Sequence, residues 1–120
     1  MCGRFTLTRF DRLKSTFPTY RFPDSPPRYN VAPTTGVFVK KNDDSPHVQG
    51  MRWGLVPSWS KDLAIGNRLI NARAETLAEK PSFRDALVRR RGLIFADGFY
   101  EWRKTADGKK EPILFRLASD

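Results

Sequence analysis

The chain has 120 residues, with 22 Lys plus Arg against 13 Asp plus Glu and a formal charge of +9. That length suits one domain and hardly two. With 39% hydrophobic and 12% aromatic residues, it holds the material to bury roughly two-thirds of its unfolded surface, which speaks against disorder. No apolar run approaches the ~18 residues of a membrane span, and the amino terminus, MCGRFTLTRF, has no stretch resembling a signal peptide. The expected address is the cytoplasm or the nucleoid. One cysteine excludes an internal disulfide, and one cysteine with one histidine excludes an ordinary Cys/His zinc site. No metal or cofactor is expected. The positive excess favours an anionic partner, most simply nucleic acid, although a basic surface also serves solubility.

Phe10, Leu13 and Phe17 recur at helical spacing behind Thr8, a candidate N-cap, and predict a short amphipathic helix from Thr8 to Thr16. Pro18 stops it. From Phe22 to Pro33 four prolines remove backbone donors, so an ordered loop is expected there. Gly36 to Lys41 and His47 to Val56 read as the two strands of a hairpin around the polar turn Asn42 to Pro46. Pro57 to Arg68 is irregular and leads into the extended Leu69 to Arg73. Ser82 with Asp85 marks a helix start, and Gly92 a stop, for a helix from Ser82 to about Arg91. Leu93 to Ala96 and Phe99 to Trp102 are extended apolar runs broken by Asp97-Gly98, and Asp107-Gly108 turns the chain toward Pro112 to Phe115. The pattern predicts one β-rich α/β unit ending in a strand edge that something should pair.

Cys2 is the most informative position. If Met1 is removed, the amine and the thiol share one residue, and each is a nucleophile in its free-base form. An aldehyde can form a Schiff base with that amine, after which the sulfur adds to the same carbon and closes a five-membered thiazolidine. The plain alternative is an inert, partly buried cysteine. Glu101 stands between Tyr100 and Trp102, where alternation places Phe99 and Glu101 on one face and the two aromatics on the other. A carboxylate there suits proton transfer during imine formation, or a salt bridge to one of the many arginines. Asn71 and Arg73 flank Ala72 and share a side of an extended segment, one suited to a sugar hydroxyl and the other to phosphate, unless Arg73 pairs with Glu75. Trp59 beside Lys61 suits base stacking, or it covers the core. Lys80, Arg84 and Arg89 to Arg91 could follow phosphates or form a solvated face, and His47 reads as a bystander.

Taken together, Met1-Cys2-Gly3-Arg4-Phe5, Arg28-Tyr29-Asn30-Val31-Ala32-Pro33, Trp53-Gly54-Leu55-Val56-Pro57, Asn71-Ala72-Arg73-Ala74-Glu75-Thr76 and Ala96-Asp97-Gly98-Phe99-Tyr100-Glu101-Trp102 resemble the successive signatures of the SOS response-associated peptidase (SRAP) family. The resemblance implies an α+β fold whose mixed, mainly antiparallel β-barrel-like sheet is flanked by short helices. It implies capture of abasic sites in single-stranded DNA through a thiazolidine on Cys2, a lyase-like and self-processing activity in which the peptidase step removes Met1. Under it, Cys2, Asn71 and Glu101 are catalytic, with Asn71 on the sugar and Glu101 as general acid and base. Gly3, Arg4, Asn30 and Arg73 belong to the DNA-binding surface, while Pro33 and Trp59 pack against bases beside the lesion. Family members continue past the equivalent of Asp120 to a catalytic histidine that His47 does not match. The chain therefore reads as a single SRAP-like domain incomplete at its carboxyl end, its remaining strands absent or supplied by another chain.

Two alternatives stay open: a non-covalent single-stranded DNA-binding module, and a cysteine peptidase limited to its own Met1. Intact mass separates the routes before any DNA is used. It is expected to show the chain lighter by one methionine, because retained Met1 blocks the amine on which ring closure depends.

Overall fold

The computed structural model describes residues 1–118. Seven strands and two short α-helices follow the order β1 (Phe5–Leu7), α1 (Phe10–Thr16), β2 (Arg28–Val31), β3 (Gly36–Lys41), β4 (Val48–Arg52), α2 (Arg84–Arg89), β5 (Gly92–Ile94), β6 (Gly98–Lys104) and β7 (Lys110–Phe115), with a 3-10 turn at Leu63–Asn67 before α2. The strands form two antiparallel sheets, β2-β1-β6-β7 and β4-β3-β5. This is the expected α+β class, but among the described residues the sheets do not close into a barrel. The parallel component of the expected mixed sheet is a lone bridge between Arg21 and His47.

The core lies where the two sheets meet. Phe5, Leu7 and Val31 from the first sheet pack with Val37 and Val48 from the second and with Phe95, which links them. Around this cluster the aromatics expected of an amphipathic first helix find edge-on partners: Phe10 meets Phe38 at 5.7 Å, and Phe17 meets Phe95 at 5.4 Å between ring centres. The packing is sparse for the chain's mass. Its accessible surface is 8690 Å², against about 6,600 Å² for a compact monomer of 13.8 kDa. The expected burial of two-thirds of the chain is therefore not reached. Leu93, Ile94, Phe99 and Phe115 all stay more than 40% exposed, because their faces of β5, β6 and β7 meet no further layer among the described residues, and Leu117 beyond β7 is exposed as well.

Several local expectations shift for identifiable reasons. Arg28–Val31 is a strand inside the segment expected to be loop, since the four prolines lie outside those four residues and the backbone donors are free to pair with β1. Gly92 opens β5 opposite Lys41 rather than stopping a helix, and a Cβ there would stand 2.8 Å from Val39 Cγ1. Neither Ser82 nor Thr8 caps a helix. The N-cap residues are Phe83 and Arg9, and neither makes a side-chain cap bond.

The start of α1 is held from afar by Asp97. Its carboxylate accepts from the Thr8 amide, from the Thr8 hydroxyl at 2.9 Å, from the Arg9 amide at 2.9 Å and from the buried Thr6 hydroxyl. Burial pushes the Asp97 carboxyl upward, but these donors outweigh it and hold the group below its ordinary value of 3.8. The folded value lies below the unfolded one, so the stabilisation is complete above about pH 4 and fades as pH falls through the folded value. Thermal melts across the acid range should therefore show Asp97→Asn losing the steepest part of the acid limb. At neutral pH, Asp97→Ala should destabilise the chain by about 2 kcal/mol, the scale of hydrogen bonds to a charged group.

Candidate active site at the amino terminus

β1 carries the amino terminus into the site. Its three residues are all buried, and the pairing with β6 runs one residue further back, where the Tyr100 amide donates to the Arg4 carbonyl at 2.9 Å. Cys2 is a free, half-buried cysteine packed against the core, and its Sγ donates to the Arg4 carbonyl at 3.6 Å. Gly3 leaves open space where a Cβ would stand.

Asn71 reaches Cys2 from a separate part of the chain. The Leu55 amide donates to the Leu69 carbonyl at 2.9 Å, and the Trp53 indole Nε1 donates to the Ile70 carbonyl at 2.7 Å. The Trp53 ring in turn packs on Phe5 at 5.4 Å. Gly54, at φ 128°, lets the segment after β4 approach the 3-10 turn so closely that a Cβ would run into the Gly66 carbonyl. Held this way, Asn71 donates from Nδ2 to the Cys2 carbonyl at 2.7 Å. Its Oδ1 is not used in that bond.

Glu101 lies on β6 opposite Ile113, with one carboxylate oxygen 3.6 Å from the α-ammonium of Met1. Among the described residues it pairs with the amino terminus, and no ion pair joins it to an arginine. Beside it, Arg4 donates from Nη1 to Asn30 Oδ1 at 2.8 Å and from Nε to the Gly3 carbonyl at 3.4 Å, and its guanidinium sits 5.9 Å from the centre of the Trp102 ring. The structure thus brings Cys2, Asn71, Glu101, Gly3, Arg4 and Asn30 to one end of the first sheet. Trp102 and Tyr100 join them unassigned by the sequence, since their place depends on which strands pair with β6.

The other candidates stand apart. Among the described residues no hydrogen bond, ion pair or ring contact links Pro33, Trp59 or Arg73 to Cys2, Asn71 or Glu101. Pro33 sits in a turn whose next residue, Thr34, takes φ 69°, a strained setting for a β-branched side chain that is held by bonds of Thr34 and Thr35 to Trp53. Trp59 is 60% exposed and Arg73 is exposed, both open to a ligand. The basic run near α2 is partly neutralised, because Arg89 and Arg90 both pair with Asp85.

The model of the SOS response associated peptidase (SRAP) family matches residues 1–120. The chain belongs to that family. It is 48% identical over 124 residues to the abasic site processing protein YoqW of Bacillus subtilis (strain 168), covering 99% of this chain and 55% of that protein. To the abasic site processing protein YedK of Escherichia coli (strain K12) it is 36% identical, over 97% of this chain and 54% of the relative. The chain spans about half the length of these curated relatives. Among solved structures, a protein from Bacteroides thetaiotaomicron superposes with a TM-score of 0.81 at 22% identity, over 99% of this chain and 56% of that one. That likeness is one of fold. No helix among the described residues is long and apolar enough to cross a membrane.

The Met1–Glu101 pair is solvent-accessible, its side chains 60% and 45% exposed. Ion pairs of that kind contribute at most about 1 kcal/mol. Glu101→Gln is therefore expected to leave the unfolding midpoint in urea nearly unchanged, so that any loss of activity in that variant reports chemistry and not folding.

Proposed function

We propose that this chain captures abasic sites in single-stranded DNA as a covalent thiazolidine on Cys2 once Met1 has been removed. The observation that carries the reading is the convergence of three groups: Cys2 at the amino terminus, Asn71 bonded to its carbonyl, and Glu101 within ion-pair reach of the terminal nitrogen. Relatives named as abasic site processing proteins and a charge of +9 support it.

The chemistry follows from the groups present. An abasic deoxyribose in its open-chain form offers an aldehyde. The free amine of Cys2 adds to that carbon, and loss of one water gives the imine, with Glu101 taking a proton from the nitrogen and donating it to the departing hydroxyl. The Cys2 thiol then adds to the imine carbon and its proton passes to nitrogen, closing the ring with no oxidant or cofactor. Closure is fast because sulfur and nitrogen are two carbons apart in one residue. With the aldehyde consumed, the strand loses the group that promotes β-elimination. In this reading Asn71 Oδ1 accepts from a sugar hydroxyl while Nδ2 steadies the Cys2 carbonyl. Arg4 and Arg73 serve the phosphates, and exposed Trp59 with Pro33 serves neighbouring bases. The peptidase designation of the family corresponds, in this reading, to release of Met1.

The test is incubation of the mature chain with an oligonucleotide bearing one abasic site. A heat-stable adduct is expected, with the mass of the two components less one water, and it should vanish in Cys2→Ala. Glu101→Gln should form it about a hundredfold more slowly, the lower end of the range for general acid catalysis. Equal, salt-sensitive retention of intact and abasic strands with Cys2→Ala unaffected would replace this reading with non-covalent binding.

A further inference from the structure

We propose that Trp102 and Asn30 act as positioning residues for Arg4, holding its guanidinium in one orientation so that it meets a single DNA phosphate. The inference rests on the single-stranded DNA reading above and assigns roles within it. Arg4 is held on three sides. Its Nε is turned to the Gly3 carbonyl at 3.4 Å, its Nη1 donates to Asn30 Oδ1 at 2.8 Å, and its carbon centre lies 5.9 Å from the Trp102 ring centre. That last distance is within the range in which a guanidinium is attracted to an aromatic face.

The backbone under this arrangement is equally fixed. Tyr100 donates its amide to the Arg4 carbonyl at 2.9 Å, and its hydroxyl donates to the Tyr29 carbonyl at 3.2 Å, tying β6 to β2 across β1. These two guanidinium bonds use Nε and Nη1, which among the described residues leaves the Nη2 donors to an incoming oxyanion. A guanidinium is a planar fork of donors, so its orientation decides how well it binds phosphate. Trp102 is 42% exposed, more than a side chain placed to fill the core would be. Asn30 is exposed as well, and its Oδ1 is occupied by Arg4. In this proposal its part in DNA binding is carried through Arg4.

The experiment measures affinity of the mature protein for an intact oligothymidine across a salt series, so that Cys2 chemistry does not contribute. Each phosphate contact on a single strand adds about 0.7 to the slope of log affinity against log salt. Arg4→Met should lower the slope by about that amount. Trp102→Leu and Asn30→Ala should lower it similarly, Trp102→Phe should restore most of it, and Arg4→Met with Trp102→Leu should be no worse than Arg4→Met alone. A wild-type slope in both Trp102→Leu and Asn30→Ala, or full additivity in the double variant, overturns the positioning role while leaving the DNA reading intact. Should Trp102→Leu fail to fold, Asn30→Ala at its exposed position decides alone. A wild-type chain that binds no single strand overturns the DNA reading itself, and this role with it.

Discussion

Phe5, Thr6 and Leu7 form the one strand among the described residues that is buried at every position, and β2 and β6 pair with it on either side. The amino-terminal residues that precede it are therefore aimed by the sheet. An ordinary chain terminus frays, because its last residues have neither pairing nor burial. Here the pairing extends to Arg4, the Cys2 carbonyl is gripped by Asn71, and the terminal ammonium is met by Glu101. A reactive residue at the extreme end of a chain is useful only if something removes its freedom. Burial of β1 supplies that constraint at the scale of a few residues.

The same strand carries a second tie, through Asp97. Thr6 is fully buried, and a hydroxyl in that setting needs a partner. The Asp97 carboxylate supplies it and also fixes the start of α1 through Thr8 and Arg9. One charged group thus joins β1, α1 and the entry to β6. The arrangement lets a helix of seven residues, too short to be stable by itself, begin at a defined place. It also makes the region sensitive to acid, because protonation removes the negative charge that four donors share.

The surface away from the site has a different character. Residues of β5, β6 and β7, among them Leu93, Ile94, Phe99 and Phe115, remain open, with Phe99 and Phe115 stacked 5.3 Å apart on the exposed side. The cluster around Cys2 draws on β1, β2, β6 and the segment around Asn71. Assembly of that cluster and coverage of the apolar face are separate matters in this fold.

Much of the plan was readable from residue types and spacing. The β3–β4 hairpin, the final hairpin, the first helix and the special place of Cys2 follow from alternation, turn chemistry and the chemistry of an amino-terminal thiol, all local properties. The five motifs pointed to the family, and Asn71 and Glu101 do meet the amino terminus. The rest depended on distance along the chain. Arg28–Val31 is a strand because β1 offers it partners, Gly92 pairs with Lys41 because the second sheet needs a third strand, and Thr8 donates to Asp97 instead of capping its own helix. Asn30 and Trp102 surround Arg4 only because β1 lies between β2 and β6. By itself, then, the sequence determined the reactive groups, the charge and the local elements, since those reside in single residues and short windows. Which groups touch was decided by tertiary structure, because contacts such as Asn71 with Cys2 join residues 69 positions apart, and no local preference encodes that separation.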